Sequence, residues 1–445
     1  MIDLAEAIAL IERTAAPLPP RRMRLLDACG RPLAASVVSD FDSPPWDRAM
    51  MDGFAVRGDD VAAAGRGIVE LEVAVDLAAG DVTGLEIRPG TCARIMTGAP
   101  IPKGADAIIP IERAVDDTRG MHAGMNVRLR DEAFRPGQHI ARRAAAFRAG
   151  QEVLQAGMTL GPAETGLAAE AGATHVVASP QVRVAILQTG SELVPHDAVP
   201  AFGQTRNSNG PMLHAAVAAL GGEPITLGIA ADRPEAIRAA VAQGLAADML
   251  VISGGVSAGD LDLVPEILGR CGVETIFHKV RLKPGKPVYF GILRRDHAAD
   301  TLVFGLPGNP ASSLVCFDLF ARPAIRILAG EPRSRWHLPR GTARLTAPAK
   351  AAADRPVYLP CRLARSAEGF DATPLPWTGS SDLLGLAGAN GMIAMPAAGG
   401  RRDAGDEVEV VHREENSIPA GFCGNERAAS GRRSSATGGS LPTAP

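Results

Sequence analysis

The sequence has 445 residues, 46% of them hydrophobic, which is enough for three or four domains with separate cores. Its 46 basic and 49 acidic residues leave a formal net charge of -3, which argues against a global affinity for nucleic acid or an anionic membrane. The six cysteines and nine histidines are scattered, without a C-x-x-C pair, which argues against a disulfide framework and a structural transition-metal site.

The N-terminus lacks the basic start and apolar core of a signal peptide, and no apolar segment approaches the roughly 20 residues that span a bilayer. We therefore expect a cytoplasmic protein without a membrane or nucleic-acid partner.

The first predicted element is an amphipathic helix over residues 3–14, with Leu4, Ile8 and Ile11 on one face and Asp3 placed to cap it. The segments around it are too small for an independent core. We predict that residues 1–40 and 136–178 together form an elongated scaffold domain, in which another helix begins after Gly161.

Residues 41–135 show the pattern of short strands bounded by Gly and Pro, which predicts a small β domain inserted into the scaffold. Its strands are expected at 69–75, 93–96, 107–109 and 126–129. Near its start, Asp52 followed by Gly53 is either a loop acid aimed into a cleft or a simple turn. The residues alone favour the turn.

Residues 179–330 alternate apolar strands with helices, which predicts a doubly wound α/β domain. Strands are expected at 182–187, 225–229, 249–252 and 302–304. Helices are expected at 235–245, 263–269 and 311–329, and a further helix, capped by the segment 207–211, should run through His214 to Leu220. In such a domain the loops after parallel strands meet at one edge of the sheet, where ligands bind.

Three loops between residues 253 and 310 combine glycines with lysines. Glycines let backbone N–H groups approach a ligand closely, and Lys279, Lys283 and Lys286, with Arg281, add positive charge. This combination suits phosphate or another oxyanion. The alternative is that the lysines belong to solvated loops and the glycines only form turns.

Two acids, Asp260 and Asp262, lie in the same loop system. Carboxylates beside phosphate-binding lysines are typical of a hard cation such as Mg²⁺, which binds one or two acids together with substrate oxygens.

Residues 331–413 return to short strands and predict a C-terminal β-barrel domain, with a helical turn that starts near Thr378. Residues 414–445 are poor in apolar side chains and rich in Gly, Ser, Ala, Arg and Pro, which predicts a disordered tail.

A set of ordered motifs resembles the MoeA family of molybdopterin molybdenumtransferases, to which the E-domain of gephyrin is similar. The motifs are MDGFAV at 51–56, RIMTGAP at 94–100, TGSEL at 189–193, SGGVS at 253–257, KPGKP at 283–287 and LPGNP at 306–310. The resemblance covers roughly residues 1–412. It implies that the central domain is MogA-like and that the four-domain, multidomain α/β architecture described above is correct.

The resemblance also implies a reaction. Adenylylated molybdopterin and molybdate enter, and molybdenum cofactor and AMP leave, with help from a divalent cation such as Mg²⁺. It implies a homodimer, with molybdopterin adenylyltransferase and molybdoenzyme chaperones as further partners. The substrate molybdate and the phosphate-bearing pterin are both anions, so the lysines would lower their mutual repulsion.

The same motifs assign roles to individual residues. The acid Asp52 would reach across the cleft from the partner subunit, which overturns the preference for a turn. The implied catalytic residues are Asp52, Asp262 and Lys279, and the implied metal ligands are Asp52, Glu192 and Asp262. The implied substrate-binding residues are Thr189, Glu192, Asp232, Ser257, Lys283, Lys286, Asn309 and Ser380.

Two departures from the family pattern bear on activity. Where the family usually has Gly-Glu-Asp, this chain has three alanines at 144–146 and therefore lacks an acid. Where the family often has a barrel arginine beside molybdate, this chain has Pro360. Arg362 could substitute only if the strand register keeps it on the same face.

Three alternatives stay open. The departures are compatible with a non-catalytic paralogue that binds the pterin or a partner protein. The G-x-S-x-G pattern at 255–259 would make Ser257 the nucleophile of an α/β serine hydrolase, although this weak pattern occurs by chance in a glycine-rich chain. A pterin-adenylylating enzyme would share the central domain, but the surrounding β domains argue against it.

Overall fold

The computed structural model describes residues 1–256, 263–350, 352 and 354–413. The chain divides into two compact units, one of residues 22–178 and the other of residues 1–21 with the described part of 179–445. Among the described residues there is no helix of the length and apolarity that a membrane crossing requires. Asp260, Asp262, Ser257 and the predicted tail at 414–445 lie outside the described residues.

The larger unit is built on a six-stranded sheet, whose strands we number β1 to β6 in chain order. They are β1 (Arg183–Thr189), β2 (Glu223–Ala230), β3 (Met249–Ser253), β4 (Glu274–His278), β5 (Tyr289–Leu293) and β6 (Thr301–Leu306). The spatial order is β2-β1-β3-β6-β5-β4. Strands β2, β1, β3 and β6 are parallel, as the continuous apolar runs predicted.

Strands β4 and β5 were missed in the sequence analysis, and both pairings that involve β5 are antiparallel. Since β4 and β6 each run opposite to β5, β4 runs in the same direction as β6. The turn between β4 and β5, which contains the lysines, therefore lies at the carboxyl edge of the parallel strands.

Helices cover both faces of this sheet, which confirms the doubly wound fold. They are Leu4–Thr14, Asn209–Ala219, Pro234–Gly244, Val264–Arg270, Pro310–Cys316 and Arg322–Leu328, the last two joined by a π-helical turn at Phe317–Ala321. On one face Leu213 and Phe320 pack with Val251, and on the other Val241 and Ile267 pack with Leu250. The expected single helix at 311–329 is thus interrupted, as π-turns interrupt helices.

The helix Leu4–Thr14 is present as predicted, but its cap is not. Asp3 occupies the N-cap position without a side-chain hydrogen bond to the helix, and its carboxylate lies 3.8 Å from the Arg281 guanidinium instead. Ala7 and Ile11 are fully buried in the core of the central sheet. The predicted domain boundaries, which placed this helix in the scaffold, stay predictions.

The described C-terminal residues form a closed five-stranded barrel, as predicted. Its strands, in spatial order, are Arg340–Leu345, Gly369–Pro374, Val357–Ser366, Gly391–Met395 and Glu407–His412. The predicted helical turn is the helix Leu383–Ala387, which Asp382 caps by accepting the N–H of Gly385 at 3.0 Å. Short elements complete this unit: Leu193–Val194, Thr205–Arg206, Arg333–Arg335, Ala349–Lys350 and Arg401–Arg402.

The unit of residues 22–178 contains a five-stranded sheet. Its strands, in spatial order, are Ala107–Pro110, Gly53–Val56, Thr91–Ile95, Val69–Leu77 and Asn126–Leu129. The alternating burial along Val69–Leu77 places Leu71 and Val73 in a core that Phe54 shares. The unit also contains the helices Gly58–Ala64 and Pro162–Glu170 and the short helices Leu25–Ala28 and Ile111–Arg113. Its short strands are Arg21–Arg24, Val37–Val38, Arg48–Ala49, Ile140–Ala141, Glu152–Leu154 and His175–Ala178.

Candidate active site at the carboxyl edge of the central sheet

Three of the predicted loops start side by side at the carboxyl edge of the sheet. The register aligns Gln188 of β1 with Ser253 of β3, and Ser253 with Leu306 of β6. The residues that follow these positions, at 189–192, 254–256 and 307–309, therefore begin within two strand spacings of one another. This arrangement is the one that the sequence predicted for a ligand site.

The loop after β3 is packed so closely on β1 that only glycine fits. Gly254 and Gly255 have φ values of 98° and 62°, in the left-handed region that favours glycine. A Cβ atom on Gly254 would lie 2.3 Å from the Thr189 carbonyl oxygen, and one on Gly255 would lie 2.7 Å from Thr189 Oγ1. These glycines are required by close approach as well as by turn geometry.

A buried polar network that the sequence analysis missed joins the same loops. Asn209 Nδ2 donates to Ser253 Oγ at 2.7 Å and to the Gly308 carbonyl oxygen at 2.7 Å, and Ser253 Oγ donates to the Pro307 carbonyl oxygen at 3.2 Å. Asn209 is the first residue of its helix, and the pattern Asn209-Gly210-Pro211 revealed only a helix start. No local pattern could show that its amide reaches a loop 99 residues away.

The lysine segment forms the turn between β4 and β5. The Lys279 N–H donates to the Val288 carbonyl oxygen at 2.8 Å, and the Val280 N–H donates to that of Lys286 at 3.1 Å, so the two ends of the turn are joined. Lys279 is half-buried, with a left-handed φ of 74°, whereas Lys283 and Lys286 are exposed. The structure thus brings the three predicted lysines to the edge that holds the glycine loops.

The tight packing of this segment again depends on a glycine. A Cβ atom on Gly285 would lie 2.2 Å from Cys316 Sγ, and Gly285 has a φ of 113°. The Cys316 thiol is fully buried, and burial holds its pKa well above the ordinary value, so it packs as a neutral group. The lysine segment therefore rests directly on the helix Pro310–Cys316.

The barrel contacts this edge at two places. Asn309 Nδ2 donates to Ser380 Oγ at 2.9 Å, and the Ala311 N–H donates to the Ser380 carbonyl oxygen at 3.1 Å. The Lys283 N–H donates to the Pro356 carbonyl oxygen at 2.9 Å. Asn309 and Ser380, both predicted to bind substrate, are therefore brought together by a direct contact.

The predicted acids at this edge are exposed. Asp232 Oδ2 accepts the Ser191 N–H at 2.9 Å, and the Asp232 N–H donates to Ser191 Oγ at 3.2 Å, which joins the loops after β1 and β2. The carboxylate of Glu192 folds back over Gly190, where a Cβ atom would lie 2.7 Å from a Glu192 oxygen. Within the described residues, no three acidic, histidine or cysteine side chains come together as a metal site would require.

Asp52 lies in the other unit and is a loop acid, so the preference for an Asp-Gly turn was wrong. Gly53 already belongs to strand Gly53–Val56, and a Cβ atom there would lie 2.2 Å from the Ile109 carbonyl oxygen. Asp52 Oδ1 accepts the N–H and the hydroxyl of Thr97, each at 2.7 Å. These bonds, the backbone bond first, hold the pKa of Asp52 below its usual value, so the acid is ionised at neutral pH.

The alanines at 144–146 form a well-defined turn. The Ala144 N–H donates to the Pro44 carbonyl oxygen and the Ala146 N–H to that of Ser43, both at 2.9 Å. Ala144 has a φ of 59°, a conformation in which L-residues other than glycine are disfavoured. The turn therefore has a backbone conformation that favours glycine, although alanine occupies the position.

The register of the barrel strand Val357–Ser366 is unbroken on both sides. Pro360 pairs with Met392, and Arg362 pairs with Thr373. Val357, Cys361 and Leu363 face the barrel core, so Pro360 and the exposed Arg362 share the opposite face. That face also carries Tyr358, which packs into the core of the central sheet. Arg362 therefore lies on the same face as Pro360, as a substitute for the barrel arginine would have to.

Known families match this architecture along most of its length. Residues 2–172 match the MoeA N-terminal region (domain I and II), residues 185–327 a probable molybdopterin binding domain, and residues 342–412 the MoeA C-terminal region (domain IV). A crystal structure of the molybdopterin biosynthesis MoeA protein from Pyrococcus horikoshii superposes with a TM-score of 0.75 and 29% identity, covering 93% of this chain and 99% of that one.

Two curated relatives are similar over nearly their whole length. The molybdopterin molybdenumtransferase of Bacillus subtilis (strain 168) is 34% identical over 401 residues, which cover 88% of this chain and 90% of the relative. Molybdopterin molybdenumtransferase 2 of Mycobacterium tuberculosis is 36% identical over 400 residues, which cover 88% and 94%. This similarity shows that the chain belongs to the MoeA family, the molybdopterin molybdenumtransferases of molybdenum cofactor biosynthesis.

Proposed function

We propose that this enzyme transfers molybdate onto adenylylated molybdopterin and releases AMP. The observation that carries the proposal is the meeting of the glycine loops and the lysine turn at the carboxyl edge of the central sheet. The edge combines glycines, which let a ligand approach the backbone closely, with the positive charge that a substrate with two phosphates and an oxyanion partner require.

The distribution of lysine supports this reading. The chain has 46 basic residues, only five of which are lysines, and three of those five are Lys279, Lys283 and Lys286. An ammonium group is a compact point charge with three rotatable donors, whereas a guanidinium is a planar fork. A tetrahedral oxyanion such as molybdate can be approached by several ammonium groups at once. We propose that these lysines offset the repulsion between molybdate and the phosphates.

The remaining predicted residues are proposed to bind the substrate around this charge. Thr189, Glu192 and Asp232 belong to the loops after β1 and β2 and are assigned to the nucleotide side. Asn309 and Ser380, already in contact, are assigned to the molybdate side, where the Ser380 hydroxyl would donate a hydrogen bond. Ser257 keeps its predicted role but lies outside the described residues.

The described residues alone do not fit a Mg²⁺ site. Glu192 and Asp232 supply carboxylates at this edge, but the described part of the chain holds no group of three acidic, histidine or cysteine side chains, and one Asp232 oxygen is already bonded to the Ser191 N–H. The predicted ligand Asp262 lies outside the described residues, and Asp52 belongs to the other unit. The Mg²⁺ requirement stays a prediction.

Asp52 is proposed to act on the site of a partner subunit in a homodimer. The support for this role is that the Asp52 carboxylate is exposed, ionised and held by two hydrogen bonds to Thr97. An acid that contributes to a site outside its own sheet needs this exposure and this fixed position. Mixed dimers test this. Asp52→Ala and Lys286→Gln chains, each with little activity alone, should together recover about a quarter to a half of the activity if the acid is supplied in trans.

A product assay tests the reaction itself. Purified protein is incubated with adenylylated molybdopterin and molybdate; AMP is measured by chromatography, and cofactor by reconstitution of a cofactor-free molybdoenzyme. Molybdate-dependent appearance of both products is expected. AMP without cofactor would indicate a hydrolase of the adenylylated pterin, and neither product would contradict the proposal.

A non-catalytic paralogue is the second candidate, and Pro360 is the observation that favours it. A proline offers no donor to an oxyanion at the place where the family often has arginine. Tight binding of adenylylated molybdopterin without AMP release would support this candidate. The proposed cytoplasmic location and the partner proteins, molybdopterin adenylyltransferase and molybdoenzyme chaperones, stay predictions. Family membership leaves the serine hydrolase without support.

A further inference from the structure

We infer that His278 is a positioning residue, which holds the glycine loop after β3 against the start of the lysine turn. The inference rests on the proposed function, because it explains how two parts of that site are kept together. His278 is the last residue of β4 and directly precedes Lys279. Nothing in its sequence context, between Phe277 and Lys279, distinguishes it from a surface residue at a strand end.

The two parts start far apart in the sheet. Strand β3, which leads into the glycine loop, and strand β4, which leads into the lysine turn, are separated by β6 and β5. At a strand spacing of about 4.8 Å, the ends of β3 and β4 are about 14 Å apart. The backbone edge alone therefore does not bring the glycine loop to the lysines.

The glycine loop crosses this gap because Gly305 of β6 has no side chain. A Cβ atom on Gly305 would lie 2.6 Å from Val256 Cγ1 and 3.0 Å from the Cβ of Tyr289. Val256 is almost fully buried and belongs to the same hydrophobic core as Tyr289 and Val303. The side chain of Val256 thus takes the place that a residue on β6 would otherwise fill.

His278 fixes the end of this crossing. Its Nε2 lies 2.9 Å from the Val256 carbonyl oxygen. A carbonyl oxygen only accepts, so Nε2 carries the hydrogen and His278 is the donor. The ring also stands edge-on to Tyr289, with the ring centroids 6.0 Å apart, which restricts its orientation.

One side-chain hydrogen bond therefore joins the end of the described glycine loop to the residue before Lys279. Lys279 itself turns the chain with a left-handed φ of 74°. Without the bond, the Val256 carbonyl would lose the one partner that the described residues give it, and the loop would be free to shift away from the lysines. The loss should weaken substrate binding more than it slows the chemical step, because preorganisation of the site is what changes.

The experiment compares three variants of the full chain. His278→Leu removes the donor, and His278→Gln keeps an amide donor of similar reach. His337→Leu is the matched control, since His337 is also half-buried and makes one side-chain hydrogen bond, to Glu12 at 2.7 Å. The readouts are steady-state AMP release over a range of adenylylated molybdopterin, and amide hydrogen exchange of a peptide that covers residues 249–256.

His278→Leu should lower kcat/KM roughly tenfold, mainly by raising KM, and should speed exchange at the Gly254 amide, which donates to the Leu306 carbonyl oxygen. His278→Gln should have nearly the wild-type kcat/KM and exchange rate, and His337→Leu should change neither kcat/KM nor the exchange rate. Wild-type kinetics and exchange in His278→Leu, or a His278→Gln variant as impaired as His278→Leu, would overturn the inference. If the wild type releases no AMP, the proposed function fails, while the exchange rates still decide the role of His278.

Discussion

Gly254 and Ala144 both have a positive φ, yet the chain places glycine at the first position and alanine at the second. Gly254, with φ 98°, faces the Thr189 carbonyl oxygen at a distance that no Cβ atom tolerates. Ala144, with φ 59°, needs only the left-handed conformation, and its N–H bonds to Pro44 without hindrance. The first constraint is steric overlap with another strand, and the second is a local conformational cost of about 1–2 kcal/mol.

The two regions therefore tolerate new side chains to different degrees. At the edge of the central sheet, the glycines, the lysine turn and the barrel loop pack on one another, so a single side chain would displace several segments. In the turn at 144–146, the alanine side chains are exposed or half-buried, so they can change while the backbone bonds stay. We therefore expect the two regions to respond very differently to substitution.

The largest effect is expected from Gly254→Ala. The new Cβ would meet the Thr189 carbonyl oxygen at 2.3 Å in a left-handed conformation, so the loop or β1 must move. We predict a loss of about 3 kcal/mol in the free energy of unfolding and no measurable AMP release. Urea unfolding and the AMP assay measure both.

Gly308→Ala is the control at the same edge. A Cβ atom on Gly308 would meet Gly254 Cα at 3.7 Å, which is an ordinary contact. This variant should lose less than about 1 kcal/mol. Equal losses in the two variants would show that close approach does not distinguish these glycines.

The next effect is expected from Lys286→Gln, which removes one positive charge and leaves the backbone conformation unchanged. If the lysine turn stabilises charge that develops during the reaction, AMP release should fall by about 100-fold at saturating pterin. Lys286→Arg should recover only part of it, since a planar guanidinium does not replace an ammonium group.

Lys350→Gln, which changes an exposed lysine of the barrel, should keep wild-type activity. If Lys286→Gln lowers AMP release by less than twofold, the lysine turn is not part of the proposed site.

A smaller effect, with the opposite sign, is expected in the turn at 142–147. Ala144→Gly relieves the left-handed strain but gives the unfolded chain more freedom, so we predict a net gain of about 0.5–1 kcal/mol. Thermal unfolding measures it. Ala145→Gly, in the same turn but without a positive φ, should instead lose stability. A loss in both variants would contradict the account of Ala144.

The smallest effect concerns the pH dependence of Asp52. Its pKa in the folded protein is held below the ordinary value by Thr97, so it contributes stability above about pH 4, and this contribution is lost as the pH falls through the lowered pKa. Thr97→Val removes the hydroxyl bond and keeps the backbone bond. The variant should be slightly less stable than wild type at pH 6, and the difference should shrink below pH 4.

Thr83→Val is the matched control for that titration. The Thr83 hydroxyl oxygen accepts the Leu85 N–H at 3.0 Å, a bond to an uncharged group. Its effect on stability should not depend on pH between 3 and 6. Parallel curves for the two variants would show that Thr97 does not act on the Asp52 carboxylate.

Most strands and helices of the larger unit could be predicted from the sequence, because the patterns that indicate them lie within short segments. Continuous apolar runs that end in glycine gave the parallel strands, and short strands between Gly and Pro gave the barrel. Strand β4 was missed because Glu274–His278 has only Phe277 buried and therefore lacks a continuous apolar run. Strand β5, Tyr289–Leu293, is an apolar run, but it directly follows a segment rich in proline, glycine and lysine that predicts a loop. The Asp3 cap was wrong because a capping residue type does not ensure that its side chain turns back to the helix.

The details of the candidate site could not follow from local patterns. The Asn209 amide, the Gly305 gap and the His278 donor each depend on segments that are distant in sequence. The left-handed φ of Ala144 could not be predicted either, because alanine rarely adopts that conformation. The register around Arg362 could be stated only as a condition, because a slip of one residue would place that side chain on the other face.

The most direct test of the central claim is AMP release from adenylylated molybdopterin by the wild type, with and without molybdate, beside an Ala146→Asp, Pro360→Arg variant. Because the described loops meet at the carboxyl edge of the central sheet and Arg362 shares the face of Pro360, we predict molybdate-dependent release by the wild type, and a gain of less than about tenfold in the variant. Tight pterin binding by the wild type without AMP release, with release only in the variant, would contradict the account and indicate a paralogue that has kept the site and lost the reaction.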